Sequence, residues 1–283
     1  MPGDPASPAV GAAPAVGAAP PGPPPGAGAS DTMVRVEPVM GTVSSLRVVV
    51  GSVAASKALQ AVDDACRLLH DADDLFSTWK PDSMVSRFRR GELPPEEATA
   101  ELDEVLELCR QARALSREWF DPWAMPGGFD PTGLVKGWAV DRAVGALRRA
   151  GVGGALVGSG GDLSGFGGPE PDGSWTVGVR HPLHADAVAC VVRVHHAVAT
   201  SGDYERGAHL VDPRTGQPAC RVASATVTGP SLALADALAT GLAVAGEPGL
   251  AFVAAADGYE GFVIRPDGTG VATKGFPVMA GTG

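Results

Sequence analysis

Residues Ser231–Gly246 read SLALADALATGLAVAG. Ala and Leu are strong helix formers, so the run specifies a helix, apolar on nearly every side. Ser231 stands where an N-cap belongs, and Gly246, followed by Glu247-Pro248, provides the stop. Two polar residues interrupt it, Asp236 and Thr240, four apart and hence on one face. A carboxylate in such surroundings requires a partner, because an unpaired buried charge is very costly. Carboxylate and hydroxyl at this spacing offer two hard oxygen ligands to a magnesium ion, whose remaining ligands are commonly substrate phosphates. A capping or salt-bridged aspartate at a helix boundary is the competing reading, and this helix alone does not choose between them.

Working outward, Val222–Val227 reads as a strand running into that helix, and Gly249–Ala256 as a short helix after it. Two terminal strands flank the turn Pro266-Asp267-Gly268. Upstream, Trp175–Val179, Ala187–Val194 and Ala197–Thr200 read as strands, and His209–Val211 as a short one closed by the turn Asp212-Pro213-Arg214-Thr215-Gly216. Ala155–Val157 leads into Gly158-Ser159-Gly160-Gly161-Asp162. Three longer helices are expected: residues 54–75, where Leu59, Val62, Cys66, Leu69 and Ala72 recur at helical spacing; Ala100–Ser116; and Val135–Ala150, stopped by Gly151. A loop with Ser77, Thr78 and Trp79 follows the first. Near the start, two strands around Val34–Val39 and Leu46–Val50 are joined by a tight turn at Met40-Gly41-Thr42. Residues 119–133 are irregular and rich in Trp, Pro, Gly and Asp, which in a compact domain points to function. Mixed helices and antiparallel strands make this an α+β fold, with mixed, largely antiparallel sheets packed with helices.

Residues 1–32 form an Ala/Pro/Gly-rich tail expected to be disordered, and 33–283 a single domain. The tail lacks the charged n-region and leucine-rich h-region of a signal peptide, and no lipidation cysteine follows, so a cytoplasmic location is expected. The net charge of −10, without a basic block, argues against nucleic-acid partners. No run approaches a membrane span. The four cysteines are scattered and read as reduced, buried small hydrophobes.

Gly158-Ser159-Gly160-Gly161-Asp162-Leu163 fails the dinucleotide fingerprint at its sixth position, and no P-loop occurs. It offers backbone N–H groups and an aspartate after a probable strand, or simply a strand-to-turn connection. In Asp130-Pro131-Thr132-Gly133-Leu134-Val135-Lys136-Gly137-Trp138, Asp130 can cap a helix, and Lys136 suits a phosphate or carboxylate contact or else a solvated face. Thr200–Arg206 (TSGDYER) and His209–Gly216 (HLVDPRTG) crowd polar groups into a hairpin, which makes His209 a general-base candidate.

The order of these segments is specific: Met40-Gly41-Thr42, Ser77–Ser86, Phe120-Asp121, DPTGLVKGWAVD from Asp130, GSGGD, TSGDYER, HLVDPRTG and ADALAT from Ala235. The series resembles the ApbE family, the FAD:protein FMN transferases, over roughly residues 34–275. The resemblance implies an ApbE-like, T-fold-related architecture. It implies transfer of the FMN moiety of FAD, with Mg2+, to a Ser/Thr hydroxyl of an acceptor protein, forming a phosphoester and releasing AMP. The acceptor would carry a Ser/Thr-Gly-Ala-Ser/Thr sequence; here only Thr228-Gly229-Pro230-Ser231 comes near it. Asp236, Thr240 and a backbone oxygen near Gly133 match the family's metal ligands, and His209 its base. Met40, Trp79, Trp119, Phe120, Asp121, Asp130, Lys136 and His209 match FAD contacts. Trp79 replaces a common Tyr, Arg89 a common Asn, and the segment from Asp121 to Asp130 is short. An FAD pyrophosphatase giving FMN and AMP, or a non-catalytic flavin-binding module, are the alternatives.

Overall fold

The computed structural model describes residues 32–184, 186–202 and 210–279. The expected tail lies outside them except for Thr32, and His209 and Asp203–Arg206 also lie outside.

Two tight hairpins set the sheet. Strands β1 (Thr32–Val39) and β2 (Thr42–Val49) are joined by Met40-Gly41; β3 (Gly154–Ser159) and β4 (Asp162–Phe166) by Gly160-Gly161. All four connecting residues have positive φ, 54° and 66° in the first turn and 57° and 96° in the second. That geometry matches the twist of the strands it joins. For Met40, which is not glycine, it is a rare backbone. Neighbouring the first pair, β2 runs antiparallel to β3, with Ser44 opposite Ser159, so both hairpin tips lie at one end of the sheet.

The sheet continues through β7 (Ala197–Ser201), β10 (Ser224–Gly229), β11 (Glu260–Ile264) and β12 (Gly270–Ala272), in the order β1-β2-β3-β4-β7-β10-β11-β12 and antiparallel at every pairing. Strands β5 (Trp175–Arg180) and β6 (Val188–Val194) form a separate hairpin. Its Val179, Cys190, Val192 and Val194 make a small apolar cluster with Val198 and Phe276. The two-residue strands β8 (Val211–Asp212) and β9 (Gln217–Pro218) close the turn at Asp212–Gly216.

The main core lies where helices meet the sheet. Helix α4 (Thr132–Ala150) packs on β3 and β4, and α5 (Leu232–Ala245) on β7 and β10. Helix α1 (Ala55–Phe76) packs on α4, with Phe76 edge-on to Trp138 at 5.2 Å, and α3 (Ala100–Leu115) reaches α5. Short helices α2 (Met84–Arg89) and α6 (Leu250–Ala255) complete the set. Along α5, Leu232, Leu238 and Leu242 have no exposed surface, and each contributes about 1.5–3 kcal/mol by burial.

The α+β reading holds, as do the first hairpin and the long helices. Several details differ. Helix α4 starts three residues early, at Thr132, and α2 follows directly on the expected loop, in residues to which the sequence pattern assigns no element. Strand β4 is missing from the sequence reading, in which Gly158–Leu163 is a strand-to-turn connection and Ser164–Phe166 have no assignment. In α1 the buried stripe runs through Ala58, Ala61, Ala65 and Ala72 beside Val62, Cys66 and Leu69, while Leu59 is exposed. Cys66, Cys109 and Cys190 are buried free thiols as expected, whereas Cys220 is only half-buried.

Candidate active site

The hairpin tips, the end of β7 and one face of α5 converge. Ser231 caps α5, its hydroxyl taking the Leu234 N–H. One turn inside stands Asp236, only 4% exposed, and a turn further Thr240. Thr240 Oγ1 is 3.3 Å from Ser201 Oγ at the end of β7. A side chain added at Gly133 would lie 3.6 Å from Thr240 Oγ1 and 3.1 Å from the Phe120 ring. The predicted trio Gly133, Asp236 and Thr240 is therefore split between the first turn of α4 and α5, with Gly133 directly beside Thr240.

Lys136, one turn along α4 from Gly133, points into the same region. Its ammonium donates to Asp162 and forms a 3.5 Å ion pair with Asp236. Asp162, the first residue of β4, also takes the Thr200 N–H at 2.8 Å. The carboxylates of Asp162 and Asp236 are 2% and 6% exposed. Lysine on a solvated face is thus excluded: Lys136 is a half-buried cation between two carboxylates.

The segment Trp119–Asp130 is shaped by unusual backbone. Arg117 and Glu118 take positive φ (53° and 66°) after α3, turning the chain sharply into Trp119. Such strain persists only where surrounding structure fixes it. Over the Trp119 ring lies the Arg214 guanidinium at 3.6 Å, with Arg221 at 5.2 Å, both cation–π distances. Arg214 is set by Asp212, whose carboxylate takes the Arg214 N–H at 2.9 Å. Phe120 is buried beside Gly133. The remaining predicted flavin contacts hold local structure as well: Asp121 accepts from the Trp123 N–H and from Arg113, and Asp130 accepts from the Thr132 N–H at the start of α4. Trp79 stands apart from this packing, 93% exposed.

Two residues escaped the sequence reading. Gly137 meets the first turn of α5 so closely that an added Cβ would lie 2.5 Å from the Leu232 carbonyl oxygen. Asp141, one turn on, accepts from Ser164 Oγ, Ser231 Oγ and the N–H groups of Leu232 and Ala233 at 2.7–3.1 Å. It is the cap of α5 supplied by another helix, and its charge suits a helix N-terminus. Burial nevertheless pushes its carboxyl above the usual range, outweighing those four hydrogen bonds. A glycine and an aspartate four apart, on one face of the helix, are the available signal.

Comparison with known proteins fits this arrangement. The profile of the ApbE family matches residues 40–127 and 124–263. The chain belongs to the ApbE family. An FAD:protein FMN transferase of Vibrio cholerae is 30% identical over 271 residues, covering 74% of this chain and 80% of that protein. One of Rhodobacter capsulatus is 37% identical over 151 residues, 49% of this chain but only 28% of that protein. Among solved structures, the apo flavinyl transferase ApbE of Pseudomonas stutzeri superposes with a TM-score of 0.71 at 27% identity, over 86% of this chain and 94% of that one. The α+β sheet described above is thus an ApbE fold.

The donors present in this ApbE-family chain suit a hard cation. Among the described residues no three His, Cys, Asp and Glu side chains group as metal ligands. A magnesium site needs no such group: one carboxylate, a hydroxyl and a backbone carbonyl fill it, with phosphates or water completing the shell. Asp236, Thr240 and Gly133 are of those types, and Ser201 adds a further hydroxyl beside Thr240. No described helix is long and apolar enough to cross a membrane.

Proposed function

We propose that this ApbE-family transferase moves the FMN moiety of FAD, with Mg2+, onto a Ser or Thr hydroxyl of an acceptor protein and releases AMP. The observation that carries the reading is the Asp236–Thr240 pair on α5, with Gly133 beside Thr240 and Lys136 beside Asp236. Oxygen ligands and a cation gathered in one half-buried place suit a pyrophosphate and not a neutral ligand.

In the reaction the acceptor oxygen bonds to the FMN phosphorus. The bond from that phosphorus to the bridging pyrophosphate oxygen breaks, and its electron pair leaves on AMP. His209, outside the described residues, takes the hydroxyl proton. Lys136, held by Asp162, donates to a phosphate oxygen and neutralises charge that builds there. Trp119 presents a flat ring for a planar group of FAD, with Arg214 and Arg221 near it. Met40, Phe120, Asp121, Asp130 and Trp79 complete the flavin-contacting set. Magnesium held by Asp236, Thr240 and the Gly133 carbonyl would supply Lewis-acid stabilisation of the phosphates and leaving group.

The test is mass spectrometry on a mixture of this protein, FAD, Mg2+ and a domain or peptide carrying Ser/Thr-Gly-Ala-Ser/Thr. A peptide mass gain equal to FMN, abolished by EDTA and in Asp236→Ala, is expected. Free FMN and AMP beside an unmodified acceptor would replace the reading with FAD hydrolysis, and FAD recovered intact would reduce it to flavin binding.

A further inference from the structure

A metal pocket assembled from buried carboxylates faces a difficulty before the metal arrives. Asp236 is nearly enclosed, and desolvating a lone carboxylate is strongly unfavourable. Lys136 is a cation on hand, and its partnerships with the two carboxylates are unequal. Toward Asp162 it donates a hydrogen bond; toward Asp236 it keeps a 3.5 Å ion pair, against about 2.8 Å for a charge-assisted hydrogen bond. Asp162 is also the more firmly placed of the two carboxylates. It follows directly on the Gly160-Gly161 turn, and its other oxygen is tied to the Thr200 N–H on β7. Asp236 therefore borrows the charge of a lysine whose firmer attachment is elsewhere.

We propose that Lys136 and Asp162 form a built-in counter-ion for Asp236: Lys136 holds the place of the divalent cation, and Asp162 retains the ammonium when that cation binds. Asp162 is in this sense a positioning residue, acting on the metal site through Lys136. Lysine suits the task, since its point charge rides on a flexible four-carbon stem and can shift without moving α4. Retained by Asp162, the ammonium stays close to the metal pocket and free to meet a substrate phosphate. The inference rests on the reading of Asp236 as a metal ligand.

Its test is titration of Mg2+ alone into the FAD-free protein by calorimetry, with thermal melts in EDTA and in Mg2+. Lys136→Met removes the competing cation, and Mg2+ is expected to bind about tenfold tighter. Asp162→Asn removes the carboxylate that draws Lys136 away from Asp236, and Mg2+ is expected to bind about tenfold weaker. Lys136→Arg, which keeps the charge, should stay near wild type. A merely structural Lys136–Asp162 pair predicts weaker binding in both of the first two variants, and that result overturns the inference. Should Lys136→Met not fold, Asp162→Asn with unchanged or tighter binding overturns it equally. Asp236→Ala separates the two levels: Mg2+ binding that survives it removes the metal reading itself and the counter-ion with it. Binding lost in Asp236→Ala, while Lys136→Met and Asp162→Asn shift in the same direction, leaves the site standing and removes only the counter-ion.

Discussion

Asp141, half-buried, and Asp236, buried, both stand at the contact between α4 and α5, and they do opposite things. Asp141 is saturated: two hydroxyls and two backbone N–H groups occupy its oxygens, every donor fixed in the fold. Asp236 faces instead the end of a flexible lysine and sits a turn from a hydroxyl pair. One carboxylate has its partners locked in secondary structure and so stabilises the helix packing. The other is held by a partner that can move, and so remains able to bind. The difference lies in what surrounds the carboxylate, not in residue type.

The comparison breaks most sharply in substitutions at the two aspartates. Asp236→Ala should lower flavin transfer on the order of a thousandfold, the scale of metal and electrostatic stabilisation, with little change in urea midpoint. Asp141→Ala should do the reverse, lowering stability by about 3 kcal/mol because the α5 N–H groups lose their acceptor. Gly137→Ala should cost about 2 kcal/mol in the same urea titration, through overpacking against the Leu232 carbonyl.

Asp141→Asn sharpens the contrast further. The amide oxygen can accept where three donors now converge, and Ser164 can turn its hydroxyl to accept from the amide nitrogen. A loss of about 1 kcal/mol or less is expected at neutral pH. The pH dependence has a definite sign. The folded carboxyl titrates above its unfolded value of 3.8, so the Asp141 contribution is fully present below that value and declines as pH rises through the folded one. Wild type measured against Asp141→Asn should therefore be relatively most stable in acid and lose that advantage toward neutrality. A difference that grows with pH would show that the hydrogen bonds outweigh burial. The smallest effect belongs to Trp79→Ala: under about 0.5 kcal/mol in stability for so exposed a side chain, with a rise in the KM for FAD.

The unequal legibility of these residues in the sequence follows from the same contrast. Helix α5 announces itself through Ala, Leu and the Ser231 cap, and Asp236 and Thr240 stand out because four residues make one helical turn. Asp141 does not, because its partners lie up to 92 residues away and a capping aspartate is expected next to its own helix. Asp162 reads as a turn residue, since the lysine it holds is on another element, 26 positions upstream. Strand β4, DLSGF, offers no alternation of apolar side chains, and α2 is too short to show a period. The turn at Met40-Gly41 was plain from its glycine, whereas the paired positive φ at Arg117 and Glu118 involves residues with no such preference.

The pairing of β2 with β3 joins neighbours more than a hundred residues apart, as in the Ser44–Ser159 hydrogen bond. Contacts of such sequence separation form slowly, because a long loop must close before they are made. The candidate site at Gly133, Ser201, Asp236 and Thr240 draws on α4, β7 and α5, and only its Asp236–Thr240 pair has a local precursor in an unfolded chain. A divalent cation would thus meet its full set of ligands only in the finished fold. Bound there and not earlier, it would draw the folding equilibrium toward the native state by mass action, while leaving the speed of folding to the sheet.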